Sequence, residues 1–169
     1  VIEAEDLVGG KVEEANAALA VLTGPAAARD AAFGHLFDPA LVAEAQVLSQ
    51  KYKLAPHLIL AVMAIESNFH PFVQSHAGAQ GLMQVMTSIH AKRYQAYGGS
   101  LSAFDPITNM RVGVALLADF IKTKGSVEDG LRYYLGGDAV FEDGGYVAKV
   151  RAEQARLDQV AAGVNVSVF

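Results

Sequence analysis

No cysteine occurs anywhere in this 169-residue chain. That absence excludes disulfide scaffolds, thiolate zinc sites and cysteine nucleophiles. It is compatible with the cytoplasm and with an envelope protein large enough to need no covalent staples. Charge is scarce as well: Asp, Glu, Lys and Arg make up 18% of the residues, below a typical share of about 25%. The balance is acidic, with a formal net charge of −5 and no basic stripe. Such a surface repels phosphates, so no nucleic-acid partner is expected. Long apolar runs are missing too. The longest, residues 58–65, has eight residues, far short of the roughly 20 that a membrane-crossing helix needs. The five histidines (35, 57, 70, 76 and 90) show no H-E-x-x-H or comparable ligand spacing, so neither a metal nor a cofactor is expected. There is no G-x-S-x-G nucleophile elbow, no P-loop, no alternating strand pattern and no internal repeat.

What the chain does have is apolar helical patterning. Hydrophobic residues reach 52%, among them 29 alanines, which rules out a disordered acidic tail. The length is that of one ordinary domain. The first residue is Val1, not Met, so a processed or truncated chain whose export signal is gone is the expectation. Residues 1–33 stand apart: Gly9-Gly10, an alanine-rich run and the break at Gly24-Pro25 read as one short helix at 13–22 followed by a linker. Residues 34–169 read as the functional domain.

Asp38-Pro39 is an N-cap followed by proline at the first helical position. Leu41, Ala45, Leu48 and Tyr52 then share one helical face. Pro56 opens a second helix that is apolar on all sides and therefore central and buried. It runs out at Glu66-Ser67-Asn68. Residues 69–86 read as loop and 88–97 as a short helix. Asp105-Pro106 repeats the cap-plus-proline signal for a helix reaching Gly125. Ser126 with Asp129 resembles a capping box for the next, which Gly136-Gly137 stops, and Val147, Val150, Gln154 and Leu157 mark the last. The fold class expected is an all-α globule of short helices around a central buried helix.

Glu66 stands out among the ionisable groups. It is the first acid after eight consecutive apolar residues, at the mouth of that buried helix. Loss of water and the negative end of the helix dipole both disfavour its charge. A carboxyl kept protonated near neutral pH is what a general acid requires. Position alone leaves open an acid that simply turns outward at a helix end. Elsewhere, His70 and His76 flank the following loop and read as solvent-facing. Tyr133 and Tyr134 are adjacent on a helix and cannot share a face, so Tyr134 is taken as the one turned inward. Leu82 and Val85 read as core.

The stretch Glu66-Ser67-Asn68-Phe69-His70-Pro71, then Ser75, then Gly78-Ala79-Gln80-Gly81-Leu82-Met83-Gln84-Val85-Met86 resembles the signature of the soluble lytic transglycosylases. Asp105-Pro106 with Asn109 and Gly113, the segment Tyr133 to Gly137, and Glu142 with Tyr146-Val147 extend the resemblance over roughly residues 38–158. It implies a lysozyme-like fold and cleavage of peptidoglycan glycan strands. It places the catalytic acid at Glu66. It also places Ser75, Met83, Gln84, Met86, Tyr134, Glu142 and Tyr146 along the substrate cleft. Leu135 stands where the family usually has Asn, Thr87 where it has Pro, and Ile89 where it has Thr.

Two-carboxylate glycosidases flank the scissile bond with an acid and a second group; the signature here supplies one. The resemblance implies substrate assistance. Glu66 protonates the oxygen between MurNAc and GlcNAc, then takes the proton of the sugar's own C6 hydroxyl as a 1,6-anhydro ring closes. Asp105, Asp138 and Glu142 stay open as second carboxylates, which would turn the chemistry into goose-type-lysozyme-like hydrolysis. A non-catalytic glycan-binding module on the same fold is the third reading. The substrate implies a periplasmic or envelope location, and an envelope or secretion assembly as a partner.

Overall fold

The computed structural model describes residues 38–164. The helix expected at 13–22 and the domain boundary expected at residues 33/34 lie outside the described residues. Among the described residues there are six α-helices, with one short β ladder between the second and third. They are α1 (Pro39–Tyr52), α2 (Pro56–Ser67), α3 (Thr87–Tyr94), α4 (Pro106–Lys124), α5 (Val127–Gly136) and α6 (Tyr146–Ala161).

Two of these helices start with the same device. The Asp38 carboxylate accepts from the Ala40 amide at 2.8 Å, and the Asp105 carboxylate from the Thr108 amide at 2.7 Å, each just ahead of a proline. At α5 the Ser126 hydroxyl accepts from the Asp129 amide at 3.0 Å. Each cap satisfies an amide that the helix itself leaves unpaired.

The centre of the molecule is α2. Leu58, Ile59, Leu60, Ala61, Val62 and Met63 are all buried, and each large aliphatic among them contributes about 1.5–3 kcal/mol through burial. Around it, α6 packs along α2, α1 against α2 and α4, and α4 against α5. The α4–α5 contact is very close: a Cβ on Gly130 would lie 2.4 Å from Ile121 Cγ1, so only glycine lets the helices approach. One hydrophobic cluster joins all these helices.

After α2 the chain turns sharply through Asn68 (φ 49°) and Phe69 (φ 61°), both left-handed. Burial of the Phe69 side chain offsets the conformational cost. The segment then forms the ladder between β1 (Ala79–Gln80) and β2 (Val85–Met86), antiparallel, with Ala79 opposite Met86. Sequence patterning gives no sign of these strands, because two residues are too few to display a period of two. The helix expected at 88–97 spans Thr87–Tyr94 and continues as a 3-10 turn over Gln95–Tyr97. Among the described residues no helix is long and apolar enough to cross a membrane.

Candidate active site

Glu66 lies in the last turn of α2, half-buried. The Tyr146 hydroxyl, from the first residue of α6, donates to Glu66 Oε1 at 2.5 Å. Burial pushes the Glu66 pKa from an ordinary 4.5 up to about 7, while the Tyr146 hydrogen bond pulls the other way by favouring the carboxylate. Burial dominates. Tyr146 is itself buried, and burial together with the Glu66 charge holds its hydroxyl strongly protonated. Tyr134, on α5, is pushed up by burial, then by the charge of Glu66. Its hydroxyl donates to the Met83 carbonyl at 2.7 Å. The carboxyl is thus bonded to one tyrosine and felt electrostatically by a second, and both stay neutral at any ordinary pH.

The loop facing Glu66 is fastened by polar residues beneath it. The Ser67 hydroxyl donates to the Leu82 carbonyl at 2.8 Å. Asn109, fully buried on α4, accepts from the Met83 amide at 2.7 Å and donates to the carbonyls of Gln80 and Ala103, each at 2.9 Å. Gln84 sits at φ 48°, and its side-chain amide donates to the carbonyls of Val73 and Gly81 at 3.1 and 3.0 Å. At Gly81 a Cβ would clash with Asn109 and with the Ala103 carbonyl, so glycine is required there.

A buried acid on the central helix, faced by a glycine-bearing loop, is the geometry on which the sequence comparisons bear. The pattern of the family described as Transglycosylase SLT domain matches residues 44–145. The chain belongs to the transglycosylase SLT domain family. The all-α, lysozyme-like fold class expected from sequence agrees with the helices of this SLT domain. Relatives named "Membrane-bound lytic murein transglycosylase C" from Salmonella typhi, Klebsiella pneumoniae (strain 342) and Cronobacter sakazakii are 45% identical over 76 residues. That stretch is 41% of this chain and 21% of each relative. This chain thus spans about a fifth of the length of those relatives.

Within the SLT domain, the residues singled out from sequence separate into groups. Glu66, Tyr134 and Tyr146 come together, with the Met83 backbone beside them. The Met83 side chain does not line a cleft as expected. It is fully buried and packs on Gly113, where a Cβ would come within 2.7 Å of it. The Asn109 grip on the Met83 amide is what turns it into the core. Ser75 accepts from the Ala79 amide at 3.0 Å and closes the turn ahead of β1. Gln84 and Met86 are half-buried on the loop and its ladder. Glu142 is exposed between α5 and α6 and forms no hydrogen bond or ion pair among the described residues. Leu82 and Val85 are core, and His70 and His76 are exposed. Tyr133 packs edge-on against Phe120 at 4.8 Å and lies under the Lys124 ammonium.

Two of the three candidate second carboxylates have other occupations, and the third, Glu142, is the exposed residue between α5 and α6. Asp105 caps α4, which holds its carboxyl below the ordinary range. Asp138 pairs with Lys124 at 2.6 Å. Burial and Tyr146 alone shift Glu66. Sequence reading assigned no task to Ser67, Asn109 or Asp143. Asp143 accepts from the Gly145 amide at 2.8 Å and steadies the entry to α6. The signal for Asn109 was there: a carboxamide amid the Ile107, Met110 and Val114 spacing, where a buried polar group needs partners.

Proposed function

We propose that this SLT domain cleaves peptidoglycan glycan strands as a lytic transglycosylase, with Glu66 acting first as acid and then as base. The observation that carries the reading is the Glu66 carboxyl itself: raised to about 7, bonded to Tyr146, and with no second carboxylate among the groups that shift it. A pKa near the working pH lets one group give and take a proton in a single cycle.

In the forward step, protonated Glu66 donates to the glycosidic oxygen between MurNAc and GlcNAc as the bond to the anomeric carbon breaks. The substrate's N-acetyl carbonyl stabilises the positive charge developing on that carbon, a recognised departure from the two-carboxylate scheme. The Tyr146 hydroxyl stabilises the carboxylate left behind. Glu66 then accepts the proton of the C6 hydroxyl while O6 bonds to the anomeric carbon and closes a 1,6-anhydro ring. No water enters. Tyr134 walls the carboxyl and holds the Met83 carbonyl. Gln84 and Met86 offer the loop's partly exposed surface to the glycan, with Ser75 shaping the turn before it. Glu142, exposed on the segment that leads into α6, contacts the glycan strand.

The substrate places the protein in the cell envelope, on the periplasmic side, working alone on the wall or beside an assembly that must pass through it. The names of the relatives support that placement. The test is a digest of purified sacculi by the wild-type chain, with products read by mass spectrometry. Anhydro-ended muropeptides, lighter by one water than reducing-ended ones, are expected. Reducing ends would assign the chain to the hydrolases, and absence of released fragments would make it a glycan-binding module.

A further inference from the structure

Helices α2 and α6 touch through polar side chains at both ends. At the C-terminal end of α2 the contact is Glu66 with Tyr146. At the N-terminal end it is His57 Nδ1 with Asp158 Oδ1. The two contacts lie nine residues apart on α2, about 14 Å along its axis, and apolar packing fills the interval. Their pairing shows that the helices run antiparallel.

The His57–Asp158 contact is not an incidental surface pair. The His57 side chain is 5% exposed, and its Nε2 is buried with no hydrogen-bond partner. A hydrogen on Nε2 would face no acceptor, so the ring carries its hydrogen on Nδ1 and donates to Asp158. Asp158 sits in the last turn of α6, where a carboxylate opposes the dipole of its own helix. The same carboxylate lies at the first turn of α2, whose N-cap, Ala55, offers no side-chain bond. Asp158 is therefore misplaced for α6 and well placed for α2. The two helix starts differ in this respect, because the first turn of α6 has a carboxylate of its own chain segment: Asp143 accepts from the amides of Gly145 and Val147.

We infer that the His57–Asp158 pair is a positioning tie: it fixes the register of α6 against α2 and so keeps the Tyr146 hydroxyl on the Glu66 carboxylate. The inference rests on the reading of Glu66 as the acid for its functional meaning, but not for its measurement. A helix docked through apolar side chains alone can slide by fractions of an ångström at little cost. A directional bond to a buried ring removes that freedom at one end, and the rigid helix transmits the constraint to the other.

The experiment compares the full chain with Asp158→Ala and Asp158→Asn, following the Glu66 carboxyl by carbon NMR against pH without substrate. Asp158 is 59% exposed, so neither change opens a cavity. Loss of the tie in D158A loosens the Tyr146 bond to the carboxylate and raises the Glu66 midpoint by about half a pH unit. Mere loss of a negative charge acts in the opposite direction, because it makes ionisation of Glu66 easier. D158N keeps an acceptor for Nδ1 and is expected at or slightly below the wild-type midpoint. The alkaline limb of the cleavage profile should follow the same order. A D158A midpoint that is unchanged or lowered, or a D158N midpoint raised as far as that of D158A, overturns the tie. Glu66→Gln in the same digest keeps the two readings apart. If it still cleaves, Glu66 is not the acid, whatever the titration shows.

Discussion

The end of α2 and the start of α4 each hold an acid, and the two are driven in opposite directions. Glu66 is largely withdrawn from water and receives one hydroxyl; its pKa rises to about 7. Asp105 is exposed and receives the Thr108 amide; its pKa falls. The functional group is the same. What differs is which charge state the surroundings reward: burial penalises the carboxylate, whereas an amide at a helix start welcomes it. A carboxyl that has become the cap of a helix is structural; one held short of donors is free for chemistry.

The largest effect expected from breaking this contrast is at Glu66. Glu66→Gln keeps the shape and removes the transferable proton, so cleavage of sacculi should fall by about 10²–10⁴-fold, with an unchanged circular dichroism spectrum. An active E66Q protein would falsify the acid–base assignment. The same variant should be more stable than wild type, but only on one side of the scale. Below pH 4.5 Glu66 is protonated in both the folded and the unfolded chain. Between 4.5 and about 7 the unfolded chain releases the proton while the folded one retains it, so stability declines as pH rises. Urea unfolding should therefore show E66Q gaining about 2 kcal/mol at pH 8, after a discount for partial exposure, and nothing at pH 4.

Tyr146→Phe removes the one influence that favours the carboxylate while leaving the ring in place. The Glu66 midpoint should climb by about one unit above its wild-type value, read by NMR or from the alkaline limb of the rate profile. The smallest effect is at the other acid. Asp105→Ala should cost about 1 kcal/mol at neutral pH through the lost cap, with the Glu66 midpoint and cleavage rate unaltered. Because the Asp105 pKa is depressed, its stabilisation is present above the ordinary carboxylate range and disappears as pH falls through the lowered value. The difference between wild type and D105A should close in acid, the reverse of the E66Q pattern.

The helices were legible because their signals are local. Asp38-Pro39, Asp105-Pro106 and Ser126 mark starts, Gly125 marks a stop, and the apolar run of α2 marks its burial. Glu66 was legible for the same reason: an acid ending an apolar run must answer for its own desolvation. The ladder at Ala79–Gln80 was not, since cross-strand pairing leaves no trace in so short a segment. Nor was the destination of the Met83 side chain, which depends on a contact with Gly113 thirty residues away in sequence. His57 and Asp158, 101 residues apart, read singly as an ordinary histidine and a surface acid. Their partnership exists only once α6 lies along α2.

Asn109 grips main-chain atoms of its neighbours and none of the side chains of the Gln80–Met83 segment. The course of that loop is thus decoupled from the identity of the groups it displays. Evolution, or an engineer, can exchange a partly exposed residue such as Met86, whose side chain holds no backbone group, to suit a different wall chemistry without redrawing the path. The reverse holds at position 109. Aspartate would forfeit the donors and leucine every bond, so tolerance for change along the loop is underwritten by intolerance at a single carboxamide beneath it.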